Sequence, residues 1–211
     1  TLLIGFQHEL VSTKAEQIRI NELQKEIRKL EQEYDDLADQ IRQARTIHSE
    51  ILATNVTDNL VELGLTEAVF EIELTPIEES RSRYGTESVM FMIRPNRDSQ
   101  AGSLSKIASG GELSRISLAI QVAVTTNDAA PSSIYDEVDV GIGGRIAEIV
   151  GSKLKVLANR KQILCITHLP QVAVQGSSHM QITKITGRET QICVEQNTIF
   201  FLILSSFKKR S

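Results

Sequence analysis

Three short stretches of this chain carry residue types that could bind a phosphate and activate water beside it. In KIASGGELSR (residues 106–115), Ser109, Gly110 and Gly111 precede a helical run that begins at Glu112. Two missing Cβ atoms let backbone approach a ligand closely. A helix start also aims unpaired N–H groups and a positive dipole end at one point. That is an anion site suited to a terminal phosphate; the plain alternative is a loop whose serine caps a helix. In SSIYDEVD (132–139), a strand ends in the adjacent carboxylates Asp136 and Glu137, with Asp139 just beyond. At the carboxyl end of a parallel strand, one carboxylate could hold Mg²⁺ while the other polarises a water. Read as structure alone, the pair is a solvated acidic turn. In QILCITH (162–168), a strand ends in His168, placed either to donate to a phosphate oxygen or to serve the fold. Cys165, inside that apolar strand, reads as core.

Each signal is weak by itself, but their order is specific. A signature-type turn, a strand ending in two acids, an aspartate beyond it and a strand ending in histidine follow the layout of an ABC-type ATPase head.

The elements that must position these residues can be read from periodicity. From Ile20, apolar residues recur at gaps of three and four: Ile20, Leu23, Ile27, Leu30, Tyr34, Leu37, Ile41 and Ala44, separated by charged residues. Such a heptad rhythm, free of glycine and proline, predicts a coiled-coil arm; a long amphipathic helix on a globular core is the alternative. The helix is expected to run on through Leu52, Val56, Leu60 and Leu63 and to stop at Gly64. The period then becomes two around Phe70, Ile72 and Leu74, and again around Val89, Phe91 and Ile93, predicting two antiparallel strands. After a linker at 94–103 come a helix (about 111–125), a strand (about 132–136), a helix (about 144–158), a strand (163–167) and a short helix. Strands alternating with helices imply a mainly parallel sheet with flanking helices on both faces, an α/β fold.

Composition narrows the field. The 211 residues carry a formal net charge of −4, so nucleic acid would be met through a local patch or a partner. Aromatics are 4% and tryptophan is absent, which argues against a base-stacking platform. Cys165 and Cys193 lie far apart without metal-ligand spacing, as expected of reduced thiols in an intracellular protein. The start has no basic signal-peptide segment, and the longest apolar run, Ile199 to Leu204, falls far short of a membrane span. The first residue is Thr1 rather than Met, which leads us to expect a fragment.

The blocks KIASGGELSRISLAI, IYDEVDVGIGGRIAEIVGSKL and QILCITHLPQVAV, with His179 and Lys184 trailing, resemble the RecN family of SMC-like DNA repair ATPases over about residues 20–185. The resemblance implies a head built from both ends of one polypeptide. One lobe carries the phosphate loop, and the lobe seen in this chain carries the other elements. It divides the chain into an arm helix (1–66), the C-terminal lobe of the head (67–195) and an atypical tail (196–211). By the same resemblance, Ser109, Gly110, Gly111 and Glu112 would contact ATP held by the opposite head. Asp136 would hold Mg²⁺, Glu137 would be the general base, Asp139 would lie at the dimer seam and His168 would sense the γ-phosphate. The implied partners are the N-terminal head lobe, a second head and DNA, with no membrane, in a cytoplasmic, nucleoid-associated setting or an organelle.

Three features depart from the family's pattern. No GxxxxGK[ST] phosphate loop occurs, so this chain alone is expected neither to hold ATP tightly nor to hydrolyse it. Ser132 and Ser133 open the acidic strand where the family is usually apolar. The tail NTIFFLILSSFKKRS is unlike the family's charged, helical end, and an exposed IFFLIL would invite aggregation. Other readings are a cohesin-like or zinc-hook-type ABC ATPase, or a non-catalytic coiled-coil protein with a degenerate head lobe.

Overall fold

Helix α1 spans Leu2–Glu62 without interruption. The computed structural model describes residues 2–77, 81–104, 109–124, 130–184, 190–195 and 201–206, with side chains placed at 13–14, 16–77, 81–104, 109–124 and 130–180. Lys106, Ile107 and Ala108 of the glycine turn, and residues 196–200 and 207–211 of the tail, lie outside the described residues. Strands β1 (Val69–Pro76), β2 (Glu87–Arg94) and β3 (Gly102–Ser103) form one sheet in that order. Then follow α2 (Gly110–Ala123), β4 (Ser132–Tyr135), α3 (Gly144–Ala158), β5 (Gln162–Thr167), α4 (Pro170–Ala173), β6 (Ser178–Lys184), β7 (Thr190–Glu195) and β8 (Phe201–Ser206). The second sheet has the order β4-β5-β8-β6-β7, parallel except for the antiparallel β6–β7 pair.

The chain divides into two compact units. One unit comprises residues 1–48 and 74–88, the arm helix and the hairpin tip. There the Tyr34 hydroxyl donates to the Ser82 carbonyl at 2.9 Å, and Arg45 donates to the Tyr84 carbonyl at 2.8 Å. Arg81 pairs with Glu31 at 2.6 Å and Asp35 at 3.1 Å. The heptad residues Ile20, Leu23, Ile27, Leu30, Leu37 and Ile41 are exposed. An apolar seam in water is what a coiled-coil strand presents before it meets its partner.

The other unit comprises residues 49–73 and 89–211. The last turns of α1 belong to its core: Val56, Leu60 and Leu63 are buried with Phe70, Ile93, Leu118, Val150, Leu154 and Ile163. Gly64, at φ 86°, ends α1 as expected, and the Leu65 N–H closes the cap on the Leu60 carbonyl at 2.9 Å.

Alternation decides which face of the parallel strands is covered. Tyr135, Ile163, Cys165 and Thr167 are buried on one side, in the core that α2 and α3 help to build. On the other side Ile134 is 69% exposed, and Leu164 and Ile166 are only half-buried. Successive side chains leave a strand on opposite faces, and here the core packs against one of those faces. Ser132 and Ser133 occupy the outer start of β4, a sheet-edge strand, where the Ser132 hydroxyl donates to Gln162 at 2.9 Å.

Candidate functional site

Asp136 and His168 leave neighbouring parallel strands at the same end. The register pairs Tyr135 with Cys165, so the chain exits β4 and β5 side by side. Ligands of open α/β sheets bind at this carboxyl end. Asp136 and Glu137 are exposed there, and the Glu137 N–H donates to Asp136 Oδ1 at 2.8 Å. Glu137 has φ 58°, the left-handed region that residues other than glycine occupy at a cost. The turn is closed by the Val140 N–H on the Glu137 carbonyl at 3.1 Å.

Helix α2 brings the glycine turn to the same place. Ser109 is its N-cap: its hydroxyl oxygen accepts the Glu112 N–H at 3.4 Å, and its carbonyl accepts the Leu113 N–H at 3.0 Å. Both capping and an outward role are compatible, because a hydroxyl that accepts in the cap keeps its hydrogen to donate. Ser109 and Gly110 are exposed and Gly111 is buried. A Cβ on Gly110 would run into the Glu137 carboxylate. One on Gly111 would meet the Glu137 carbonyl at 3.1 Å and Val140 Cβ at 3.3 Å. The glycines therefore do for this acid turn what they were expected to do for a ligand: they let backbone come close. Glu112 lies in the first turn of α2, where its charge favours that helix end.

Asp139 stands apart from the other acids. It is 2% exposed and turned into the chain. Its Oδ2 accepts from the Thr167 hydroxyl, from the His168 N–H at 3.0 Å, and lies 3.3 Å from His168 Nδ1. The Thr167 oxygen in turn accepts the Leu169 N–H at 3.1 Å. Asp139 thus positions the exit of β5 and lies against the half-exposed His168 ring.

Two residues of the GELSR run have duties that the sequence did not disclose. The Ser114 hydroxyl donates to the Asp136 carbonyl at 2.7 Å, and Arg115 Nη1 donates to the Val140 carbonyl at 2.9 Å. Together they fasten α2 to both ends of the acidic turn. Arg115 is buried, and its Nε finds no acceptor among the described residues. Burial pulls its pKa below the usual arginine value, with the Glu112 charge opposing. Thr167 was equally hidden, since a threonine ending an apolar strand looks like any other. Cys165 is core, as expected: burial first, then the Asp139 and Asp136 charges, push its thiol up to about 12.

The chain is 41% identical over 178 residues to the DNA repair protein RecN of Xylella fastidiosa, covering 84% of this chain and 32% of that protein. It is 48% identical over 135 residues to RecN of Haemophilus influenzae, covering 64% and 24%. The chain is RecN-like. It spans about a third of the length of the curated relatives it matches. No protein-family model matches it. Among solved structures, the Smc head domain with an extended coiled coil from Pyrococcus furiosus, crystallised with the C-terminal domain of ScpA, aligns with a TM-score of 0.50 at 16% identity. The alignment covers 69% of this chain and 35% of that one. Such a likeness speaks for the fold: an SMC-type head lobe carrying a long helix.

Proposed function

We propose that this RecN-like chain supplies one half of a composite ATP site in a head that works in DNA double-strand-break repair. The observation that carries the reading is the meeting of four elements at one sheet end. The Ser109–Gly111 turn, Asp136, Glu137 and His168 all sit at the exits of β4 and β5 or against them.

The residues fit a nucleotide and a magnesium ion in kind. Gly110 and Gly111 lie at a helix start whose N–H groups favour an anion. Asp136 offers an exposed hard-oxygen ligand. That suits Mg²⁺, which keeps waters and substrate phosphates in its shell. When bound, the ion neutralises charge that develops on the phosphates.

The chain's own residues then divide the work. Ser109, Gly110 and Gly111 donate to a terminal phosphate presented by the opposite head. Glu137 takes the proton of the attacking water, a role worth about 10²–10⁴-fold in rate. His168, placed by the Asp139 carboxylate through its backbone N–H, meets the phosphate with its exposed ring. Glu112 shapes the helix start. ATP joins two heads and its hydrolysis parts them, which moves the arms and any DNA they engage. Because the chain contains no phosphate loop, turnover requires the N-terminal lobe.

The test is to measure ATP hydrolysis by the chain, by the matching N-terminal lobe and by the two mixed. Activity in the mixture alone supports the proposal, and Glu137→Gln in the mixture then accumulates a nucleotide-bound dimer. Hydrolysis by the isolated chain at the rate of the mixture would refute it.

A further inference from the structure

Strand β8 holds the middle of the second sheet although it is the last strand of the chain. Ile163–Thr167 of β5 pair in parallel with Phe201–Ser205, and Ser178–Ile182 of β6 pair in parallel with Leu202–Ser206. Without β8 the sheet would fall into the pairs β4-β5 and β6-β7, each with a bare inner edge. Two-stranded pieces are marginal on their own, so this slot must be filled by a strand running with β5. Local connectivity does not demand that β8 be that strand. β5 and β6 are already joined through α4, and β8 returns from beyond the antiparallel edge strand β7.

About two-thirds of the length of the curated relatives lies outside the part this chain matches, enough for another lobe. The strand that fills the slot, FLILSS, belongs to the tail, which is unlike the family's charged, helical end.

We propose that the slot between β5 and β6 is a strand-acceptor site. Residues 201–206 fill it in this chain, and they exchange for a parallel apolar strand of the complementary head lobe. Tail and lobe compete for the same two edges. Main-chain hydrogen bonds on both sides supply the affinity of an added strand. A strand tethered in the same chain has the advantage of effective concentration, so the tail weakens docking of the lobe without abolishing it. The inference rests on the composite-head reading above.

Cys165 in β5 and Ile203 in β8 are register partners, which gives the test. Neighbouring strands lie about 4.8 Å apart, within the roughly 4.4–6.8 Å between Cα atoms that a disulfide spans. Ile203→Cys in a Cys193→Ser background therefore locks β8 in place on oxidation. Association with a fluorescently labelled N-terminal lobe is read by anisotropy. The reduced protein is expected to bind, the oxidised protein to bind about tenfold more weakly or worse, and reductant to restore binding. Equal affinity in the two redox states overturns strand exchange while the composite head stands. No association in either state overturns both. Leu204→Pro, which removes a ladder donor from β8, is the second arm: it should raise affinity for the lobe, and unchanged or lower affinity counts against exchange.

Discussion

Asp139 and His168 are joined at two points: the buried carboxylate accepts the His168 backbone N–H at 3.0 Å and lies 3.3 Å from its Nδ1. The same oxygen accepts from Thr167, so one atom collects the exit of β5. The two side chains should therefore fail in different ways. Asp139→Ala strands two donors beside the core and should cost about 1–3 kcal/mol in urea unfolding. His168→Ala removes a side chain that is 58% exposed and keeps the backbone bond. It should change stability by less than about 0.5 kcal/mol and still remove hydrolysis by the assembled head. Equal destabilisation by the two would contradict a positioning role for Asp139.

The two glycines should also separate. A Cβ on Gly110 meets the tip of the Glu137 side chain, which can swing aside. One on Gly111 meets backbone and the branched Val140, which cannot. Alanine gains about 1 kcal/mol over glycine in a helix, so Gly110→Ala should melt at or above the wild-type temperature and Gly111→Ala below it. Gly110→Ala should nonetheless lower turnover of the assembled head by about 10²-fold, because it displaces Glu137, the proposed proton acceptor. The reverse order of melting temperatures would contradict the packing described here.

Cys165 supplies a pH prediction. Its thiol is raised to about 12 in the fold, chiefly by burial, against roughly 8.5 in an unfolded chain. The protonated form is the one the fold prefers. This contribution is therefore complete below about pH 8.5 and fades as pH rises toward 12, where the unfolded chain alone gains by losing the proton. In a Cys193→Ser background, alkylation at pH 8 should be slow in buffer and fast in denaturant. Rapid alkylation of the folded protein would show that the strand is open to solvent.

Much of the site could be read from the sequence because its parts are local. A glycine pair before a helix, two acids ending a strand and a histidine ending the next each write their own geometry into consecutive residues. What escaped were contacts set by register across the fold. Ser114 reaches Asp136 over 22 residues, Arg115 reaches Val140 over 25, and Thr167 reaches Asp139 over 28. Polar residues inside a helical or strand run carry no mark of which distant group they will meet.

The fold shows the same limit. Gly64 ended α1 where a C-cap glycine should. The heptad rhythm, however, gave no sign that Val56 and Leu60 leave the arm for a different core. Nor could an apolar run such as FLILSS show that it would lie between β5 and β6. Such a run fits any buried strand.

The central claim is that each nucleotide is shared by two protomers, even though Gly110 and Glu137 touch within one chain. Complementation between defective heads tests it most directly. Heads assembled with the N-terminal lobe and carrying Ser109→Arg are mixed with heads carrying Glu137→Gln. If sites are shared, a mixed dimer joins an intact Glu137 on one head to an intact Ser109 on the other. In a symmetric dimer, an equal mixture should then regain about a quarter of wild-type turnover. A mixture as inactive as its two components would place Ser109 and Glu137 on the same nucleotide within one chain and contradict the account.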